Sequence, residues 1–199
     1  MTYFEFTKRF PDETSAINFI VSVKYKDGYV CPKCGCLHRI YHQHYDHRKL
    51  YCNNCKTEWS ALVGTIFENT HLDLRMWLYA INLCMIARKG ISALQLQREL
   101  GMGCYQSSWR MLHLIRKCMG NEKYKDTFEA VVEIDETYVG GKHTNGIESC
   151  WAVLKRSVYG IFHHVSVKHL QQYVDEFCFR LNNRDCDAAF LKCVGLAVA

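Results

Sequence analysis

Cys31-Pro32-Lys33-Cys34 and Cys52-Asn53-Asn54-Cys55 are two C-x2-C knuckles with seventeen residues between them. Each knuckle offers two thiolates from one turn. The spacer lets a hairpin fold back, so that four sulfurs surround one Zn2+ tetrahedrally. Short alternating runs within the spacer, such as Arg39-Ile40-Tyr41-His42, predict small β hairpins around the metal. Residues 28–66 carry too few apolar side chains to fold alone, so the metal is expected to supply folding energy. Sulfur fills all four positions, which leaves none open for a catalytic water. The expectation is a structural zinc ribbon over 28–66. Cys36, just past the first knuckle, is an alternative ligand with poorer spacing. His42, His44 and His47 are either a second metal site or exposed hairpin histidines. Cys84, Cys104, Cys118, Cys150, Cys178, Cys186 and Cys193 lack ligand spacing and read mostly as small buried apolar residues.

Outward from the knuckles, the chain of 199 residues is long enough for one medium domain or two to three small ones. It is 49% hydrophobic and 23% charged, the balance of a globular protein, which excludes a wholly disordered chain. The longest nearly apolar run, 76–87, includes Asn82 and is too short to cross a bilayer. The N-terminal MTYFEFTKRF shows no basic leader followed by an apolar core. Twelve cysteines therefore read as metal ligands and buried thiols rather than as a disulfide framework. The net charge of +5 is unevenly spread: +2 over residues 1–70, +5 over 71–127 and −2 over 128–199. The middle third is the segment best suited to a polyanion, and the last third the best suited to cations.

Ahead of the ribbon, residues 1–27 hold a helical pattern over 16–23, with Asp12 or Thr14 as its cap. Behind it, 72–88 is helical and apolar on nearly every side, the mark of a buried helix. Ser92-Ala93-Leu94-Gln95 is a capping box that opens a helix to Leu100. Gly101-Met102-Gly103 is a tight turn, and a further helix is expected over 105–119. These are helix-turn-helix proportions within 70–120, and in such a unit the second helix lies in the major groove of double-stranded DNA. Gln106, Arg110, His113 and Lys117 follow steps of four, three and four and share one face. They offer cations to phosphates and Gln106 to a base edge. Trp109, Leu112, Ile115 and Met119 form a different stripe, read as core.

The polar stretch 121–126 reads as a boundary, and 128–139 as a strand stopped by Gly140-Gly141. Within it, Asp135 faces away from Ile134 and Glu136. Helices are expected over 146–158 and 166–181. Glu148 and Lys155, seven residues apart, share a face of the first. Carboxylates from separate elements that meet at one point bind divalent metals for phosphodiester chemistry.

Together these blocks resemble a known family. FPDETSAINFI (10–20), the two knuckles, GTIFENTHLDLRMW (64–77) and KGISALQLQRELGMG followed by YQSSWRMLHLIRK (89–117) are similar to the front half of zinc-ribbon insertion-sequence transposases of the ISXO type. EIDETYVGGK (133–142), HTNGIES with Trp151 and LKR (143–156), and YGIFHHVSVKHLQQYVDEFCFRLNNR (159–184) resemble two blocks of their catalytic domain. That pattern is shared with the Merlin transposases. The resemblance implies an RNase H-like core, an acidic DDE-type triad, two divalent ions (Mg2+ or Mn2+) and DNA strand transfer at terminal inverted repeats. It places Asp135 at the first acidic position, Glu148 at the third, and Lys155 at the basic position that meets DNA phosphate. It also implies a location in the cytoplasm at the nucleoid, or in the nucleus of a eukaryote.

The chain departs from the pattern at the second Asp. Lys142 is followed at once by His143-Thr144-Asn145, and no Asp falls between Asp135 and Asp175. A complete RNase H-like core needs roughly 100 residues, so the domain at 127–190 is expected to be internally deleted. The ending, DCDAAFLKCVGLAVA, shows no helical pattern and reads as a truncated or frame-shifted tail. The unpaired strand at 128–139 suggests completion by a second copy, a homo-oligomer. The expectation as a whole is an α+β protein: zinc ribbon, helix-turn-helix and truncated RNase H-like domain, a degenerate transposase that keeps DNA binding. An active DDE enzyme and a plain zinc-ribbon DNA-binding protein are the alternatives.

Overall fold

The structure is a computed structural model. It describes residues 1–43, 46–87, 89–120, 145–163, 165–183 and 189–199, and for 145–150 the helical backbone alone. These residues fall into two compact units, Met1–Asn82 with Asp187–Ala199, and Leu83–Cys186. Among the described residues the architecture is α+β: helices with one small antiparallel sheet.

The first unit begins with α1 (Tyr3–Arg9) and α2 (Glu13–Lys24), and both start on capping boxes. The Glu5 amide donates to the Thr2 hydroxyl, and the Thr2 amide to the Glu5 carboxylate at 2.7 Å. The Ser15 amide donates to the Asp12 carboxylate at 2.7 Å, so Asp12 is the cap of α2. Strands β1 (Ile40–His42), β2 (Lys49–Cys52) and β3 (Thr57–Ser60) form one sheet in sequence order. Ile40 pairs with Cys52, and Leu50 with Trp59. Arg48, in the turn before β2, ties this sheet to its surroundings. It pairs with Glu13 of α2 and donates to the carbonyls of Thr70 (2.9 Å) and Leu72 (3.1 Å). The core of the unit includes Phe10, Ile20, Leu50, Phe67, Leu74 and Leu78.

The tail departs from the expectation of a patternless end. Residues Ala189–Val198 form a helix, α8, and most of it is buried. Phe190 stacks on Phe19 at 6.1 Å and meets Phe10 at 6.4 Å. The Arg9 guanidinium lies over the rings of Phe10, Phe19 and Phe190. The Ile66 amide donates to the Ala197 carbonyl at 3.1 Å. A helix so rich in apolar residues has little polar contrast to reveal its period, and it is stable because most of its surface is packed.

Helix α3 (Leu74–Ile86) carries the chain from the first unit into the second. There α4 (Ala93–Glu99) begins on Ser92, whose hydroxyl accepts from the Gln95 amide at 3.1 Å. Gly101, at φ +61°, turns the chain toward α5 (Tyr105–Met119). Next come α6 (Asn145–Ser157), a π-helical turn (Val158–Phe162) and α7 (Val167–Asn182). Gly90 has φ +89°, and a Cβ there would lie 2.7 Å from the Phe162 ring, so the position demands glycine twice over. The expected strand 128–139 and boundary 121–126 lie outside the described residues.

Candidate metal centre and nucleic-acid interface

The Sγ atoms of Cys31, Cys34, Cys52 and Cys55 all lie within 4.8 Å of one another. Cys31 and Cys55 are 3.5 Å apart, and Cys34 and Cys52 are 3.7 Å apart. Zn–S bonds of about 2.3 Å in a tetrahedron separate sulfurs by about 3.8 Å. The cluster therefore fits a zinc ion, and four thiolates are the soft donor set it favours.

The two knuckles have matching backbones. Each is followed by a residue in the left-handed region, Gly35 (φ +67°) and Lys56 (φ +58°). That turn aims an amide two residues on at the second sulfur of each knuckle: Cys36 at Cys34, and Thr57 at Cys55. The Thr57 side chain, aided by its amide, brings the Cys55 thiol down to about 6. The Cys36 amide lowers Cys34. Such N–H groups stabilise thiolates and hold the ligands in place. Lys56 carries no sequence signal for its left-handed turn, whereas Gly35 does.

Cys36 stands outside the cluster and donates to the His38 carbonyl at 2.7 Å. His42 is held by the Tyr29 hydroxyl (3.0 Å) and the His47 carbonyl (3.1 Å). His44 lies outside the described residues. Among the described residues, the four cysteines are the group of His, Cys, Asp and Glu side chains that could hold a metal ion.

In the second unit, Gln106, Arg110 and Lys117 are exposed along α5. His113 departs from that stripe. It is 8% exposed, and its Nδ1 meets Gln172 Oε1 of α7 at 2.5 Å. Its ring packs against His169 and Tyr173. Burial lowers its pKa below the ordinary histidine value. Trp109 also departs, from the expected core stripe: it is 37% exposed, while Leu112, Ile115 and Met119 are buried as expected. For His113 the physical reason is α7, which packs on the flank of α5 that carries positions 113 and 116 and shields the ring from water.

The strongest polar feature of that contact escapes a linear reading. Arg116 Nε donates to Glu176 Oε2 at 2.6 Å, with both side chains almost fully buried. Arg180 Nε stands 3.3 Å from the other carboxylate oxygen, and Arg180 also donates to the Ala87 carbonyl at 2.7 Å. Arg116 lies over the Tyr173 ring at 4.1 Å. The one available signal was a Glu and an Arg four apart, Glu176 and Arg180, within the amphipathic pattern of α7.

Lys155 is exposed on α6, and the helix places positions 148 and 155 on one face. Asp135 lies outside the described residues, as does the side chain of Glu148. No described helix is long and apolar enough to cross a membrane.

Residues 122–182 match the ISXO2-like transposase domain family. The chain is also 28% identical, over 133 residues, to an uncharacterized protein in transposable element ISH50 of Halobacterium salinarum. The alignment covers 66% of this chain and 44% of that protein, so the chain spans less than half of its length. No solved structure matches.

Proposed function

We propose, from the premise that these matches support an ISXO-like insertion-sequence transposase, that the chain binds double-stranded DNA at the terminal inverted repeats of its element without cutting it. The observation that carries this reading is the exposed row Gln106, Arg110 and Lys117 on α5, a helix that follows a capped helix across a glycine turn. In a helix-turn-helix arrangement, Gln106 near the start of α5 reaches base edges, and Arg110 and Lys117 meet phosphates. Lys155 on α6 adds a further cation. The four-cysteine cluster holds a structural Zn2+, which supplies folding energy to the ribbon. Assembly with a second copy through residues 128–139 belongs to the same reading.

The catalytic side is incomplete. Strand transfer of the DDE type rests on three carboxylates that hold Mg2+ or Mn2+. Asp135 and Glu148 supply two, and no Asp lies between Asp135 and Asp175. Loss of one carboxylate removes much of the charge stabilisation such chemistry needs.

The test uses the zinc-loaded full chain, a duplex carrying the element end, and Mg2+ or Mn2+. The expected result is binding that weakens steeply as salt rises, with no cleaved or joined strand. Strand cleavage that disappears in Asp135→Ala would overturn the inactive reading. Absence of binding at low salt would overturn the DNA-binding reading itself.

A further inference from the structure

Helices α5 and α7 run side by side in the same direction. Trp109 meets His169 (ring centroids 5.5 Å apart), His113 meets Gln172, and Arg116 meets Glu176, in rising order along both. Their N-terminal turns therefore lie at one end of the pair. Aromatic rings are concentrated there in the open: Tyr105 is 47% exposed and Trp109 37%. Trp109 does not swing as a lone surface indole. Its ring is backed by His113 at 3.9 Å and edged by His169 at 5.5 Å. Arg110 follows it on α5, Lys168 precedes His169 on α7, and both cations are exposed. No carboxylate occurs in residues 105–111 or 166–171.

We infer that this end of the α5–α7 pair binds unpaired nucleotides, with Trp109 and Tyr105 stacking on bases and Arg110 and Lys168 meeting the phosphates beside them. Exposed rings alternating with cations are the chemistry of single-strand binding. A duplex hides the faces of its bases in its own stack, so a flat ring gains little from it. An unpaired base presents a face to any ring held ready for it. Trp109 is so held, because the two histidines fix its orientation before a ligand arrives. The lack of Asp and Glu in the two helical stretches that carry these rings and cations suits a polyanion. The inference deepens the DNA-binding reading and rests on it: the preferred ligand becomes a duplex end that carries a short single-stranded extension.

The experiment measures binding of the zinc-loaded full chain to two probes by fluorescence anisotropy. One is a blunt 20-base-pair duplex. The other is the same duplex with a six-nucleotide oligo-dT extension. The extended probe is expected to bind about tenfold more tightly, the scale of stacking one base. Trp109→Ala should abolish that preference while blunt-duplex affinity stays within about twofold. Trp109→Phe should keep most of it, and Tyr105→Ala should weaken it. Equal affinity of the wild-type chain for both probes would overturn the inference and leave duplex binding intact. So would a preference unchanged in both alanine variants, or one lost equally in Trp109→Ala and Trp109→Phe. Self-association that Trp109→Ala weakens and oligo-dT does not displace would assign the surface to a second copy and overturn it as well. Failure to bind either probe at low salt would instead mark failure of the DNA-binding reading.

Discussion

Arg116 and Glu176 form a charge pair of 2.6 Å, sixty residues apart in sequence and almost wholly withdrawn from water. Glu176 serves two cations, since Arg180 stands on its other oxygen. Glu176→Ala would leave both guanidinium groups buried without a counter-charge. The expected loss is about 3–5 kcal/mol, the cost of breaking a buried pair from one side. Urea unfolding followed through the second unit measures it, and a loss below about 1 kcal/mol would show the pair to be dispensable.

His113 makes the same helix contact sensitive to acid. Its folded-state pKa lies below the ordinary value of 6.5 because burial disfavours the charged ring, and its Nε2 has no hydrogen-bond partner among the described residues. Below about pH 6.5 the unfolded chain takes up a proton that the folded chain resists. Stability is therefore full above that pH and falls as pH drops toward the folded-state value. Thermal midpoints between pH 7.5 and 5 should decline, and His113→Gln should flatten that slope. An equal slope in the variant would exclude His113 as the cause.

Removal of one ligand should empty the ribbon. Cys52→Ser breaks the four-sulfur cage and leaves a segment with little core of its own. Metal analysis should fall from about one zinc per chain toward zero, with loss of the β1–β3 signals in amide exchange. Cys36→Ser, outside the cage, should leave both unchanged.

Helix α8 should contribute to the stability of the first unit as a core element does. Phe190→Ala removes a buried ring from its contacts with Phe19 and Phe10. A cost of about 3–5 kcal/mol follows from comparable core truncations. Unfolding of the first unit at unchanged denaturant midpoint would show that α8 is a passive tail.

Lys117→Ala and Arg110→Ala test the phosphate contacts proposed for α5. Each should weaken duplex binding about equally across sequences and lower the salt dependence by about one counterion. Gln106→Ala should act differently, reducing discrimination among base pairs with the salt dependence preserved. If all three behave alike, the helix face does not divide into reading and anchoring residues.

Much of this protein was legible along the chain because the signals were local. The knuckle spacing anticipates the sulfur cluster, and the bounds expected for α5, 105–119, coincide with the helix formed. Asp12 and Ser92 announce their helices because a cap acts within three residues. The capping box at Ser92 was legible in part: Ser92 takes the Gln95 amide, as expected of its half. Trp109 and His113 were misplaced because helical phase gives faces but not which face a neighbour will cover. The tail was misread for the complementary reason: a mostly apolar stretch such as Phe190–Val198, with Lys192 alone charged, shows little contrast until its partners, among them Phe10 and Phe19, come to it from the other end of the chain.

The amino-acid order by itself determined the two cysteine knuckles, the helix starts and the row of polar side chains on α5, since each depends on residues close together in the chain. Only the folded chain decided that His113 turns inward, that Arg116 and Glu176 pair in a dry contact, and that the last helix closes the first unit. Those outcomes depend on which distant surfaces meet, and burial then sets the charge state of a histidine and the need for a counter-ion.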